Sequence, residues 1–367
     1  MVLITSLVML ALVAWAVAPA LFRTFTRPPG DGETLESYGF ALEPCLVPRE
    51  LIKPITLHRD MVPVMTAPAS MPGADVAALN EQQRGKYLVS GDRVVGVVLN
   101  GEARAYPLTL LYVHEIIHDT LGGEPVAVTY CWPSDSPRIV RRMIDGAAVE
   151  LAVSGLLYNS HALYYIRSEV DPASEAHVPE SLWSQLEARA ISGPAAAEGR
   201  VLATVPAQLT TWAHWLAAFP DTTVITEDPR FHKRYRQSEP KQYFIESDLI
   251  APVAPLPAMS SVGLKDKVIA VRGGGVNRVY PISLIASKLD AGGTWIDRAG
   301  DVSIHFFLYD DASHSVMVTL DSIAPDGGAE VVHGLWFAIH AAFPDLPLAG
   351  DAAGPAVNEA GNPGPGD

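Results

Sequence analysis

From Asp92 onward the chain alternates between short apolar runs and turn-forming pairs. Val94 to Leu99 is a β-rich run, Asn100-Gly101 is the pair that a type I′ hairpin turn favours, and Glu102 to Tyr106 returns as a second strand. Pro107 suits the first turn of a helix, and Leu108, Leu111, Glu115 and His118 follow at helical spacing. A helix is therefore predicted through His118, stopped by Gly122-Gly123. Pro125 to Tyr130 reads as a short buried strand ending at Cys131, Asp145-Gly146 as a second hairpin turn, and Leu156 to Arg167 as one further strand. Thr210 caps a predicted helix that carries Trp212, Trp215, Leu216 and Phe219 and is closed by Pro220.

The pattern recurs. Asp92-Arg-Val-Val, Ala105-Tyr106-Pro107-Leu108 and Leu110-Leu111 return in unbroken register as Asp266-Lys-Val-Ile, Val279-Tyr280-Pro281-Ile282 and Leu284-Ile285. Further on, Trp212 with Ala217 to Asp221 returns as Trp336 with Ala341 to Asp345. Two matched blocks in the same order argue for a duplicated unit. The second copy lacks the stretch around Ser154 to Gln185, which marks that stretch as a place for function, because loops carry sites while the shared frame carries packing.

The fold class expected is α+β, two tandem related β-rich mixed units with the second shorter, behind an N-terminal transmembrane helix. The divisions are an anchor over 1–27, an extended segment over 28–85, a first unit over 86–228, a linker over 229–262, a second unit over 263–346 and a disordered tail over 347–367. Residues 2–22 are almost uninterruptedly apolar, about the ~20 needed to cross a bilayer core, and no Lys or Arg precedes them. A single-pass membrane protein anchored through them is expected. The two arginines behind the anchor, Arg23 and Arg27, are answered at once by Asp31, Glu33 and Glu36 and say little about orientation.

Composition narrows the partners. With 41 acidic against 26 basic residues the net charge is −15, a field that repels polyanions and argues against nucleic acid. The basic cluster Arg230, His232, Lys233, Arg234 and Arg236 is local and patternless. Hydrophobic residues at 49% and charged ones at 18% suffice for a substantial core. The two cysteines, Cys45 and Cys131, exclude a disulfide framework and a four-cysteine metal site, and leave a single bridge between them open.

Chemistry-bearing residues gather in the first unit. His114-Glu115-Ile116-Ile117-His118 matches H-E-x-x-H, in which two histidines four apart on a helix hold zinc and the glutamate polarises water. The predicted helix is short, the expected downstream Gly is missing, and Glu124 stands at the third-ligand position. One transition-metal ion on His114, His118 and His161 stays open as a cofactor. Cys131 ends a strand, where α/β proteins place reactive groups, yet no local cation activates its thiol. Asn159, Trp183 and Gln185 crowd amide and aromatic groups into the stretch missing from the second copy, in the manner of small-molecule pockets.

These words together resemble a bacterial family of exported or membrane-attached proteins, domain-of-unknown-function family 3179. They are N-G-E-A-R-A-Y-P (Asn100 to Pro107), H-E-I (His114 to Ile116), G-G-x-P-V-A-V-T-Y-C (Gly122 to Cys131), S-G-L-L-Y-N-S (Ser154 to Ser160), S-L-W-S-Q (Ser181 to Gln185) and Gly193-Pro194. The resemblance runs from about Asp60 to Asp345 and implies an extracytoplasmic placement without naming a reaction. Relatives commonly carry a second cysteine three residues after Cys131, where this chain has Ser134, and Asp where it has Ile166; Asn is usual where it has His118.

The function read from the sequence is thus a membrane-anchored extracytoplasmic binding or accessory protein. Its pocket in the first unit is lined by His114, Glu115, Cys131, Asn159, Trp183 and Gln185, and its expected partners are the membrane, through residues 2–22, and a small molecule or metal. The alternatives are a metal-dependent hydrolase or lyase with Glu115 as base, and a scaffold with a vestigial site.

Overall fold

The computed structural model describes residues 28–350 apart from 83–84, 168–179, 237–238, 259–260, 300–301, 311–314 and 323–328. Three short strands come first, β1 (Ile52–Pro54), β2 (Met65–Thr66) and β3 (Ser70–Pro72). The hairpin β4 (Arg93–Leu99) and β5 (Glu102–Pro107) turns on Asn100 and Gly101, both at positive φ as a type I′ turn requires, and feeds helix α1 (Leu108–His114). A meander follows: β6 (Ile116–Leu121), β7 (Glu124–Cys131) and β8 (Ser136–Arg141). Next come β9 (Leu151–Tyr158), β10 (His161–Ile166), β11 (Leu182–Ser184) and β12 (Arg189–Ala190), then β13 (Thr204–Val205), β14 (Gln208–Thr211), α2 (Trp212–Ala218) and β15 (Thr223–Ile225). The C-terminal half contains β16 (Lys267–Gly273), β17 (Val276–Pro281), α3 (Ile282–Lys288), β18 (Thr294–Ala299), β19 (Val302–Asp310), β20 (Ser315–Ser322), β21 (Glu330–Leu335) and α4 (Trp336–Ala342).

This architecture corrects the expected fold class. The described chain is β-rich and divided among several sheets, and no α-helix in it exceeds seven residues; the helices pack into cores they share with the strands. Among the described residues no helix is long and apolar enough to cross a membrane, and the segment expected to do so falls in 1–27, outside them. The helix predicted through His118 ends at His114. Glu115 turns out of it at φ 53°, and the β-branched Ile116 and Ile117 enter β6 and pair with β7. The single strand predicted over Leu156 to Arg167 is two, β9 and β10. They turn on Asn159 and Ser160 at φ 51° and 57°, a turn that carries no glycine to announce it.

One pairing scheme serves both halves. The order β14-β4-β5 in the first half matches β21-β16-β17 in the second. Val94 faces Pro107 as Val268 faces Pro281, and Arg93 faces Thr211 as Lys267 faces Leu335. The meander β6-β7-β8 likewise matches β18-β19-β20. Each half ties its hairpin to its meander with the same polar knot. Asp119 accepts hydrogen bonds from Arg104 Nη1 at 2.6 Å and Tyr106 Oη at 2.8 Å, and Asp297 from Arg278 Nη1 at 3.2 Å and Tyr280 Oη at 2.8 Å.

The halves differ in what covers the meander. In the first half it is sandwiched. Ile117, Val126, Val128 and Tyr130 point to a core shared with β4, β5, α1 and α2, while Ile116, Ala127, Cys131 and Val140 point to a second core. That second core is closed by the sheet β1-β9-β10-β11-β12 through Leu151, Val153, Leu157, Tyr164 and Trp183. Among the described residues its counterpart in the second half has no such cover, and Ile296, the match of buried His118, is 49% exposed. The halves meet reciprocally. β14 of the first reaches β20 of the second through Gln208 Nε2 to the Val318 carbonyl at 2.7 Å. β21 of the second reaches β8 of the first through Arg138 Nη2 to Glu330 at 2.8 Å.

The polar knot predicts unequal costs. Asp119 is 7% exposed, and its loss leaves the buried Tyr106 Oη without its acceptor and takes one of two carboxylates from Arg104, which keeps Glu102, so Asp119→Ala is expected to cost about 2 kcal/mol. Asp297 is 23% exposed, and Asp297→Ala should cost about 1 kcal/mol or less. Denaturant unfolding of both variants measures the difference, and equal costs would contradict the asymmetric burial.

Candidate functional site

The space between the first-half meander and its covering sheet brings Glu115 and Cys131 together. Both line one cavity of about 20 Å³, enclosed by Ile55, Thr56, Trp132, Pro133, Gly155 and Ala162 among others. Three local features build it. Glu115 is the residue at which helix becomes strand: its amide donates to the Leu111 carbonyl at 2.8 Å and its carbonyl accepts from the Tyr130 amide at 2.8 Å. These two bonds hold a non-glycine residue at φ 53°, ψ −34°, a backbone conformation that costs about 1–3 kcal/mol and clusters at functional sites. Cys131 is the last residue of β7, directed into the second core. Opposite them β9 bulges between Val153 and Leu156, which carries Gly155 against Thr56 so closely that a Cβ there would collide with the threonine hydroxyl.

The electrostatics are unusual for a carboxylate. Among the described residues none donates a hydrogen bond to the Glu115 carboxyl, and burial pushes it up to about 7. The residue as a whole is only partly buried. Burial pushes the neighbouring Cys131 thiol up to about 12 against the hydrogen bonds it receives from Ser134 and the Ala162 amide, and the Glu115 charge opposes its ionisation further. A chain of hydroxyls leads away from the thiol. Ser134 Oγ lies 2.7 Å from Ser136 Oγ, which donates to Gln185 Oε1 at 3.1 Å, while Gln185 Nε2 donates to Thr129 Oγ1 and the Ser136 carbonyl.

The other residues singled out from the sequence do not converge here. His114 ends α1 facing the opposite way, its Nδ1 donating to the Pro63 carbonyl at 2.6 Å and its Nε2 accepting from Tyr235 Oη at 2.8 Å. His118 lies on a strand, where its Nε2 accepts from the Leu151 amide at 3.2 Å, and His161 Nε2 lies 3.0 Å from Ser184 Oγ. Burial lowers His118 and His161 to about 4. The H-E-x-x-H string therefore straddles a helix end and a strand and presents no common face. Among the described residues no three His, Cys, Asp or Glu side chains are grouped to hold a metal ion. Asn159 clamps the linker, donating to the Ala254 carbonyl at 3.0 Å and accepting from its amide at 2.9 Å. Trp183 packs in the second core and, with Gln185, lines a separate void of about 10 Å³. Cys45 and Cys131 are both free thiols.

Thr56, Trp132 and Ser134 complete the site and were not singled out as its residues. Trp132 adjoins Cys131 in sequence, but Thr56 reaches the cavity only through the β9 bulge, which no local pattern announces.

A family model described as "Protein of unknown function (DUF3179)" matches residues 59–331. No curated protein and no solved structure matches the chain.

The raised Glu115 carboxyl makes a sign-definite stability prediction. Its folded value near 7 lies above the unfolded value near 4.5, so the folded state holds the proton more tightly and stability falls as pH rises through that window. Glu115→Gln, which cannot ionise, should match the parent near pH 4 and exceed its stability by roughly 2 kcal/mol above pH 8. Chemical unfolding across that range checks it, and parallel curves would place the carboxyl in ordinary solvent.

Proposed function

This chain belongs to the DUF3179 family, whose description names no activity, and we propose that its first half works through proton transfer at Glu115. In this reading the Glu115 carboxyl is a general acid–base group poised near neutral pH. The Cys131 thiol beside it is a neutral partner that the glutamate can deprotonate.

The observation that carries the reading is the combination at one incompletely buried residue of a carboxyl with no donor among the described residues, an apolar wall and a backbone held at positive φ. A purely structural glutamate would be expected to turn to solvent or find a partner, since an unpaired buried charge is costly. The cavity takes about one water-sized group, so its substrate is a small neutral molecule or the narrow end of a larger one. That small volume, with the thiol held at about 12, also favours a second reading: proton-linked binding of such a molecule without turnover.

The test uses methyl methanethiosulfonate, a small neutral thiol reagent, on the full chain with Cys45 replaced by Ser. Proton transfer from Cys131 Sγ to Glu115 frees the thiolate, which attacks the reagent's sulfenyl sulfur and expels methanesulfinate. The modification rate should rise with an inflection near pH 7, and Glu115→Gln should slow it by about 10²-fold and remove that inflection. An inflection unchanged by Glu115→Gln, or a thiol inert at every pH, would end the proposal.

A further inference from the structure

We propose that the seam between the two halves holds a monatomic anion of chloride size, gripped by Arg93 and Lys267. The two cations are equivalent residues of the duplicated frame, each the first of its strand, and both face one small cavity. Against them stands one buried carboxylate, Asp135. It accepts from Arg93 Nη2 at 2.8 and 2.9 Å and from Tyr130 Oη at 2.6 Å, while Lys267 Nζ stays 3.9 Å away. Lys267 makes no hydrogen bond among the described residues and Arg93 uses only Nη2, so two cations share one carboxylate at the edge of the void, both also partly open to solvent.

A second observation points into the same void. His333, 6% exposed, lines it and hydrogen-bonds the Ala207 carbonyl, but its Nε2 has no partner among the described residues. Several buried nitrogens are unpaired among the described residues, and this is the one whose side chain lines the void, where an occupant not made of protein would satisfy it. The cavity is about 20 Å³, with Leu209, Val268, Ile282 and Val316 as its apolar walls. It has room for one water-sized particle and none for sulfate or phosphate. An anion there neutralises the surplus charge and accepts from Lys267 and Arg93, and it favours a proton on His333 Nε2, which then donates to it as well. Burial lowers the His333 imidazole to about 4; of the charged groups around it Asp135 favours the proton and Arg93 opposes it, with Lys267 on the same void, so the anion has to offset the burial. Occupancy would tie the halves together at the place where their strands exchange contacts.

Thermal unfolding of the full chain is followed while chloride replaces gluconate at constant ionic strength. The expected result is a saturable rise of about 3–6 °C, larger at about pH 5.5 than at pH 8. Lys267→Met, which keeps the apolar stem, should abolish the rise. His333→Leu, which installs the side chain of the matching position Leu209, should remove its pH dependence. In crystals, bromide should give an anomalous peak beside Lys267 Nζ. A rise that sulfate reproduces, one that survives Lys267→Met, no chloride-specific rise at all, or a seam without bromide would each overturn the proposal, the last leaving water as the occupant.

Discussion

Everything at the candidate site depends on a sheet being covered on both faces. The first-half meander has one apolar face against the hairpin and helices, as its counterpart does in the second half. Its other face, with Ile116, Ala127, Cys131 and Val140, would lie open to water without the sheet from β9 to β12 and β1. That cover turns a strand-end glutamate into a carboxyl in an apolar wall. Desolvation moves Glu115 into the neutral range and holds the Cys131 thiol protonated, and both effects would fade if the two layers separated.

The duplicated frame and the added layer have separate duties. Asp119 with Arg104 and Tyr106, and Asp297 with Arg278 and Tyr280, are the same device used twice to hold a hairpin against a meander. The cover belongs to the first half alone, and with it come the bulge at Gly155, the clamp of Asn159 on Ala254 and the hydroxyl chain to Gln185. The seam uses the frame in a third way, because reciprocal packing of β14 on β20 and of β21 on β8 sets Arg93 and Lys267 around one point. The halves diverge there too, with His333 in the place of Leu209 and Gly334 in the place of Thr210.

Much of this was legible in the chain and some was not. The Asn100-Gly101 turn, the helix start behind Pro107 and the helix from Trp212 follow from local propensities that tertiary packing left in place. The end of α1 did not, because Leu108, Leu111, Glu115 and His118 keep a helical period while Ile116 and Ile117 gain more from pairing with β7 than from another helical turn. That single competition dissolved the H-E-x-x-H reading, since it put His114 and His118 on different elements and aimed Glu115 alone into the cavity. Of the proposed pocket, Glu115 and Cys131 came together, Gln185 joined through two serines, and His114, Asn159 and Trp183 were taken up by packing and clamping.

The amino-acid sequence by itself determined the repeated hairpin-and-helix words, the acidic balance, the lack of a disulfide framework and the stretch where the halves differ. Periodicity, composition and turn chemistry act over a few residues, so these could be read along the chain. Only the tertiary structure decided how the strands divide among several sheets, that the extra stretch forms a lid over one face of a meander, and which side chains share a cavity. Those outcomes turn on which sheet buries which face, a contest between residues dozens of positions apart that no local pattern records.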